Sequence, residues 1–184
     1  MLNKIICRIN DLLGENKPVI AAIDGRCGSG KTTLAALLKE KTDCGVIHAD
    51  DFFLRPEQRT AERLSEIGGN IDYERLSQVL ETLRNEGTVT YRPYSCTTKS
   101  LDEPVTISDK NIVIVEGSYS CHPVLQGYYD LCIFLTVSPE KQLKRIEKRN
   151  PALLENFKTR WIPMEERYFE KMGIAEKCGM LFET

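Results

Sequence analysis

The chain has 184 residues, of which 41% are hydrophobic and 28% are charged, with 25 Lys and Arg against 27 Asp and Glu. This composition predicts one globular domain over residues 1–184, and the near-neutral charge excludes a domain-wide basic surface for nucleic acid. No apolar run approaches the roughly 20 residues that cross a membrane, and the N-terminal stretch lacks the apolar core of a signal peptide. We therefore expect a cytoplasmic protein without a membrane partner, and the oligomeric state stays open between monomer and homo-oligomer.

Strands and helices alternate along the chain. Apolar residues at helical spacing predict an amphipathic helix at the N-terminus, and short apolar runs predict buried strands at 18–24, 45–49, 111–115 and 130–137. Further helices are predicted after the glycine-rich loop at 25–32, after Asp72, after Ser138, and over 151–177 with a candidate break before Pro163. Continuous apolar strands that alternate with helices indicate a parallel sheet covered on both faces.

The glycine-rich loop "GRCGSGKT" (25–32) matches the pattern GxxxxGK[ST] and lies between a predicted strand and a predicted helix. Its glycines let backbone N–H groups surround a phosphate at the N-terminus of a helix. Lys31 would reach the β- and γ-phosphates of ATP, and the Thr32 hydroxyl would bind Mg²⁺. The predicted nucleotide-binding residues are Gly25, Gly28, Ser29, Gly30, Lys31, Thr32 and Thr33. The alternative is a structural turn that binds no nucleotide.

Three of the apolar strands end in acidic residues, namely Asp24, Asp50 and Glu116. Because ligands bind at the carboxyl ends of the strands in an open parallel sheet, these acids should converge near the phosphates. We predict that Glu116 assists Thr32 at Mg²⁺ and that Asp50 performs the chemistry, while Asp51 anchors the loop. For Asp24 the sequence leaves two roles open, a structural one as a hydrogen-bonding group and a functional one.

The sequence also predicts the surroundings or roles of several other side chains. Arg145 and Arg149 lie four residues apart on the basic face of a predicted helix and could stabilise a transferring phosphate, whereas the neighbouring lysines are expected to be solvated. We expect His48 to be buried and hydrogen-bonded. Cys27 lies near a helix N-terminus, which can lower the pKa of a thiol.

The chain lacks the NKxD segment of switch GTPases and the LSGGQ signature of transport ATPases, which favours a small-molecule kinase. The segments "GSGKTTLA", "HADDFF", "NID", "IVIVEG", "RIEKRN" and "WIPM" occur in an order that resembles the uridine kinase family. The phosphoribulokinase, pantothenate kinase and nicotinamide riboside kinase groups are similar. The resemblance implies an α/β P-loop NTPase fold, a three-layer sandwich with a central, mostly parallel five-stranded sheet, helices on both faces and a short lid at about 138–160.

The resemblance also implies roles for individual residues of an enzyme that uses ATP and Mg²⁺. Asp50 matches the base that acts on the acceptor hydroxyl, Asp72 an aspartate that holds ribose hydroxyls, and Tyr94 a tyrosine near the nucleoside. Arg145 and Arg149 match two lid arginines. Ser95 and Asn150 replace aspartates of the family pattern. The expected function is transfer of a phosphate to a small-molecule acceptor, first a nucleoside; the alternatives are pantothenate, nicotinamide riboside, glycerate, a sugar phosphate, or a nucleotide-binding regulator without transfer activity.

Three arginines, Arg55, Arg59 and Arg63, recur at four-residue spacing within the predicted acceptor segment at 48–72. If residues 56–66 form one helix, these arginines share a face. They then either form a solvated face paired with nearby glutamates, or Arg55 or Arg59 binds an anionic group of the acceptor. Phe53 is the candidate aromatic wall of the acceptor site.

Overall fold

The computed structural model describes residues 1–14 and 17–184. The helices are α1 (Leu2–Leu12), α2 (Lys31–Thr42), α3 (Ala61–Ser65), α4 (Tyr73–Glu86), α5 (Pro139–Arg149), α6 (Leu154–Asn156), α7 (Ile162–Met172) and α8 (Ile174–Lys177). The strands are β1 (Val19–Gly25), β2 (Gly45–His48), β3 (Val89–Tyr91), β4 (Tyr94–Ser95), β5 (Ser100–Leu101), β6 (Val105–Ile107), β7 (Ile112–Glu116), β8 (Leu131–Thr136) and β9 (Met180–Glu183). Within these ranges no helix is long and apolar enough to cross a bilayer.

Five strands form the central sheet in the order β2-β7-β1-β8-β9, and every pairing in it is parallel. The pairs β3–β6 and β4–β5 form two small antiparallel ribbons outside it. The predicted α/β P-loop fold is therefore confirmed. The register aligns Ile23 with Glu116 and His48 with Glu116, so the ends of β1, β2 and β7 meet at one edge of the sheet.

The sheet is buried because both of its faces are covered by helices. Ile5 and Ile9 of α1 and Leu34 of α2 belong to the core cluster on one face. Residues of α4 and α7, among them Leu80 and Tyr168, belong to the cluster on the other face. This double cover explains why β1 and β7 are continuous apolar runs rather than alternating ones.

The fifth strand, β9, was not predicted, because the sequence pattern ends in a helix at Lys177. It has four residues of alternating burial and pairs with β8 over Ile133 to Thr136. The following Thr184 donates its backbone N–H to the Thr136 carbonyl at 3.0 Å, and its hydroxyl donates to the Ser29 carbonyl at 3.0 Å. The end of this strand therefore reaches the phosphate loop.

Two helix expectations need correction. Residues 56–66 do not form one helix: a 3-10 turn at Pro56–Gln58 is followed by α3, whose first turn is capped by the Thr60 hydroxyl. The three arginines consequently do not share a helix face. The break before Pro163 is also absent, since a π-helical turn at Phe157–Trp161 continues directly into α7, where Pro163 lies in the first turn and is tolerated.

Candidate active site

A cavity of about 910 Å³ opens at the carboxyl ends of the sheet strands. The phosphate loop forms one wall, and the segments that follow β2, β7 and α5 form the others. Of the predicted site residues, the lining contains Gly28, Ser29, Gly30, Lys31, Thr32, Thr33, Asp50, Phe53, Glu116, Arg145 and Arg149. The fold thus brings most of the predicted groups around one space.

The phosphate loop has the open backbone that a bound phosphate requires. Gly28 and Gly30 have φ angles of +75° and +93°, and a Cβ added at Gly30 would meet no atom within 4 Å. The Ser29 hydroxyl is buried and has no hydrogen-bond partner in the described part of the chain. An unpaired buried hydroxyl beside a helix N-terminus fits a phosphate oxygen as its partner. Gly25, by contrast, is required by the close approach of the Leu135 carbonyl and does not line the cavity.

Lys31 begins α2 and lies against the loop. Its ammonium donates hydrogen bonds to the carbonyls of Gly25 at 2.6 Å and Arg26 at 3.1 Å, and the side chain is buried. This places a positive charge at the base of the phosphate loop. The side chain is flexible enough to exchange one of these carbonyls for a phosphate oxygen.

Thr32 and Glu116 form a pair of oxygen ligands. The Thr32 hydroxyl donates to Glu116 Oε2 at 3.2 Å, and Glu116 Oε1 lies 2.6 Å from His48 Nδ1. No cluster of three or more His, Cys, Asp or Glu side chains suited to a metal ion occurs in residues 1–14 and 17–184. The Thr32 hydroxyl and the Glu116 carboxylate are oxygen donors of the kind that could hold Mg²⁺, whose shell in nucleotide sites is completed by phosphates and water.

His48 differs from the expectation. It is hydrogen-bonded, but its side chain is 47% exposed rather than buried. The hydrogen bond to Glu116 raises the pKa of His48 above its ordinary value, against the opposing effect of partial burial. His48 therefore orients the Glu116 carboxylate from the solvent side.

Asp50 and Asp51 lie in a 3-10 turn, Ala49–Phe52, directly after β2. The Asp50 carboxyl lines the cavity, but the surrounding protein partly shields it from bulk water. This partial burial, and then the neighbouring Glu116 charge, raise the pKa of Asp50. Asp51 Oδ2 instead accepts a hydrogen bond from the Tyr91 hydroxyl at 3.0 Å, which ties the turn to β3. The two acids thus have different surroundings.

Asp24 is fully buried and organises the loops around it. Its carboxylate accepts hydrogen bonds from the N–H groups of Gly25 at 2.7 Å, Tyr119 at 3.2 Å and Cys121 at 2.9 Å, and from the Tyr168 hydroxyl at 2.9 Å. These contacts join β1, the loop after β7 and α7. The structure favours the structural role for Asp24, because its carboxylate oxygens accept four hydrogen bonds from the segments that it holds together.

Protonation of Asp24 gives a testable effect on stability. Burial raises its pKa from 3.8 to about 6 despite the charge of Lys31 nearby, so the folded protein keeps this proton at a pH at which the unfolded chain releases it. The stabilisation that this retained proton gives to the folded protein is fully present below about pH 4. It is lost as the pH rises through about 6. We expect the free energy of unfolding of the wild type, relative to Asp24→Asn, to fall by about 3 kcal/mol between about pH 4 and pH 7.

Urea denaturation at the two pH values measures this difference. Asp11→Asn, at an exposed position of α1, is the matched control, and its difference from the wild type should stay constant. A wild-type advantage over Asp24→Asn that grows with pH would contradict the assignment.

The two arginines of α5 lie beside the phosphate loop. Arg145 donates from one terminal nitrogen to the Gly28 carbonyl and to the Thr184 hydroxyl, both at 2.9 Å. Arg149 lies one turn later and lines the same cavity. Both guanidinium groups are exposed, so they can adjust toward a ligand.

The far side of the cavity has a mixed apolar and polar wall. Phe53, Leu64, Tyr119, Trp161 and Met164 supply apolar surface. A sixth residue, Asn70, also lines this wall, and its Oδ1 is buried without a donor in the described part of the chain. An amide oxygen in this position would accept a hydrogen bond from an acceptor hydroxyl or N–H group.

Three residues expected at the acceptor do not line the cavity. Asp72 is buried; one of its oxygens caps α4 by accepting from the Arg75 N–H at 3.1 Å, and the other accepts from Gln58 Nε2 at 2.8 Å. Tyr94 is buried in β4. Arg55 donates to the Gln58 side chain at 3.1 Å. In this conformation Asp72 and Arg55 form hydrogen bonds within the protein, and Tyr94 is buried in it. A role for these three residues at the acceptor stays a prediction.

The remaining two arginines of this segment have separate environments. Arg63 lies over the Tyr73 ring at 3.8 Å and forms two 2.7 Å bonds to Glu74, so it holds α3 against α4. Arg59 is exposed and lines the cavity. Of the three arginines, Arg59 is therefore the one positioned to meet a ligand.

Sequence reasoning missed Glu165 of α7, a buried carboxylate that holds the phosphate loop. Its oxygens accept from the Cys27 N–H at 2.9 Å and from the Ser118 hydroxyl at 2.6 Å. No motif pointed to it, although it follows the "WIPM" segment. The expectation for Cys27 is wrong: burial, and then the Glu165 charge, raise the pKa of this thiol to about 12.

Comparisons with known proteins agree with this architecture. A family model that describes an AAA domain matches residues 22–162. The chain is 25% identical over 177 residues to the uridine kinase of Ureaplasma parvum serovar 3, covering 86% of this chain and 85% of that protein. It is 28% identical over 189 residues to the bifunctional alpha-galactosidase/sucrose kinase of Mediterraneibacter gnavus, covering 89% of this chain and 20% of that protein.

Among solved structures, the fold is similar to that of a possible uridine kinase from Bacillus stearothermophilus. The TM-score is 0.68 at 20% identity, and the match covers 97% of this chain and 99% of the other. At this identity the likeness shows the fold.

Proposed function

We propose that this chain, which belongs to the AAA domain family and is similar to uridine kinases, transfers the γ-phosphate of ATP to a hydroxyl group of a small metabolite. A nucleoside is the first candidate acceptor. The proposal depends most on one observation: Lys31, Thr32, Asp50 and Glu116 line a single cavity at the carboxyl ends of the strands.

The phosphate loop and Lys31 would bind the triphosphate. The N–H groups of the loop and the Ser29 hydroxyl can donate to phosphate oxygens, and the Lys31 ammonium can offset the charge of the β- and γ-phosphates. Thr32 and Glu116 would hold Mg²⁺. Bound Mg²⁺ neutralises phosphate charge and aligns the phosphate groups.

Asp50 would orient the acceptor hydroxyl and accept its proton. Its raised pKa brings the carboxylate closer to the working pH, where a general base is most effective. Because the transition state of phosphate transfer is loose, holding the hydroxyl in line contributes more than removing its proton early.

Arg145 and Arg149 would stabilise charge on the transferring phosphate. They project from α5, within the proposed lid at about 138–160, and the adjoining turns place Phe157 and Trp161 on the same cavity. Closure of this segment over bound substrates would exclude water and limit wasteful hydrolysis.

The identity of the acceptor depends on the wall that holds Phe53, Asn70 and Arg59. A nucleoside or a sugar would both offer hydroxyl groups to Asn70 and a ring face to the aromatic side chains. The similarity to proteins named uridine kinase and sucrose kinase supports a polyhydroxylated acceptor of either type. An acceptor that also carries a phosphate or carboxylate would place that group at Arg59.

Replacing Arg59 tests this part of the proposal. We expect Arg59→Gln to raise the KM for the acceptor about tenfold and to leave the KM for ATP unchanged, because the guanidinium donates to an acceptor oxygen. Steady-state kinetics at low and high salt separate two cases: the KM of an anionic acceptor rises with ionic strength, and that of a neutral one does not. Arg8→Gln, exposed on α1, is the control. An unchanged acceptor KM in Arg59→Gln would remove Arg59 from the acceptor site.

The proposed activity is tested by ADP release from Mg·ATP in the presence of single acceptors. The panel contains nucleosides, nicotinamide riboside, pantothenate, glycerate, sugars and sugar phosphates. We expect the acceptors of one chemical class to stimulate ADP release well above the rate measured without an acceptor. ATP binding without stimulation by any member would instead favour a nucleotide-binding regulator.

A further inference from the structure

Three cysteine side chains meet outside the cavity. Cys121 lies in the loop after β7, Cys132 in β8 and Cys178 between α8 and β9. The sulfur of Cys178 is 4.0 Å from that of Cys121. Cys121 is fully buried, whereas Cys132 and Cys178 are partly exposed. The fold therefore joins three thiols that are distant in the sequence and gives two of them access to solvent.

The pKa values of Cys121 and Cys132 shift in opposite directions. The hydrogen bonds with Cys132 and Cys178, together with burial, raise the pKa of Cys121 well above its ordinary value. The hydrogen bond from Cys121 lowers the pKa of Cys132. Buried Cys121 is thus the thiol least suited to react first with a reagent.

A metal site does not account for this cluster. Over residues 1–14 and 17–184, no three His, Cys, Asp or Glu side chains are placed to hold a metal ion. The remaining chemistry of neighbouring thiols is oxidation to a disulfide. Two partly exposed thiols beside a buried one resemble the arrangement of attacking and resolving cysteines.

We infer that Cys121 and Cys178 form a reversible disulfide when the protein meets a low-molecular-weight disulfide. The Cys178 thiolate attacks one sulfur of the reagent, forms a mixed disulfide and releases one thiolate. The Cys121 sulfur then attacks the Cys178 sulfur of the mixed disulfide, and the expelled second thiolate takes up the Cys121 proton. Two protein thiols are oxidised, and one reagent disulfide is reduced to two thiols.

Both partners are connected to the phosphate loop. The Cys121 N–H donates to Asp24 Oδ2 at 2.9 Å, and Asp24 in turn accepts from the Gly25 N–H at 2.7 Å. Cys178 precedes β9, after which the Thr184 hydroxyl donates to the Ser29 carbonyl. The disulfide would therefore join the loop after β7 to the segment that precedes β9, and both segments contact the phosphate loop or the residues that hold it.

Peptide mapping of the full chain tests the inference. The protein is incubated with bis(2-hydroxyethyl) disulfide, its free thiols are blocked with iodoacetamide, and it is digested with trypsin without reduction. Cleavage after Lys110, Lys141 and Lys177 leaves Cys121 and Cys132 in peptide 111–141 and Cys178 in peptide 178–184. We expect these two peptides to be linked as the major form of 178–184, and a thiol reductant to separate them.

Single variants identify the partner thiols. Cys121→Ser should lose the linked peptide and Cys132→Ser should keep it, so either variant identifies the partner if the other does not fold.

Exposed Cys7 and Cys96 report that the reagent has reacted. The inference is overturned if these two carry the reagent while 178–184 remains fully alkylated. It is also overturned if the link disappears in Cys132→Ser and persists in Cys121→Ser.

Discussion

Replacing Asp50 with asparagine is expected to lower kcat about a thousandfold and to leave the affinity for ATP nearly unchanged. The amide cannot accept the proton of the acceptor hydroxyl, and loss of a general base typically costs two to four orders of magnitude. The side chain keeps its size, and Asp50 belongs to the turn after β2 rather than to the phosphate loop. ATP binding should therefore be preserved.

The adjacent acid provides a matched control. Asp51→Asn changes the same functional group one position away. Asp51 accepts a hydrogen bond from Tyr91 and does not line the cavity, so phosphate transfer should be retained. Equilibrium binding of ATP and single-turnover transfer, measured on both variants, separate binding from chemistry. Loss of ATP binding in Asp50→Asn would contradict the role given to it.

Replacing Lys31 with methionine should reduce kcat/KM by about two to three orders of magnitude. Methionine fills a similar volume, but it removes the charge that offsets the triphosphate and later the transition state. Unlike Asp50→Asn, this variant should also bind ATP more weakly, because Lys31 contacts the donor rather than the acceptor.

Lys144→Met is the control for Lys31→Met. It removes a lysine that is exposed on α5, so it tests loss of charge without loss of the phosphate contact. Thermal melting of Lys31→Met should accompany the kinetics, since the Gly25 and Arg26 carbonyls lose a donor. A Lys31→Met protein that is folded and retains wild-type kcat/KM would contradict nucleotide binding by this loop.

The core of the fold was predictable because its signals are local and strong. β1, β7 and β8 are largely continuous apolar runs, and the glycine-rich loop between β1 and α2 has a spacing that is rare outside nucleotide-binding loops. The last strand of the sheet was not predictable. β9 has only four residues, and it becomes a strand because β8 offers it an unpaired edge.

The grouping of Lys31, Thr32 and Glu116 around one cavity was predictable, whereas the surroundings of the residues proposed for the acceptor were less so. Lys31, Thr32 and Glu116 are fixed by the loop pattern and by the ends of two strands. Asp72 shows why resemblance says less about the acceptor: its carboxylate caps α4 and binds Gln58, and these partners cannot be read from a three-residue motif. Glu165 was missed because it reaches the loop from α7, a contact that depends on the tertiary packing of the chain's C-terminal part.

The central claim is that the γ-phosphate moves to an acceptor hydroxyl rather than to water. ATP labelled with ¹⁸O in its γ-phosphate distinguishes these outcomes when the products are separated by mass. We predict that the label appears in a phosphate ester of the stimulating acceptor and that Asp50→Asn abolishes this ester. Label found only in inorganic phosphate, at a rate independent of every acceptor, would contradict the account.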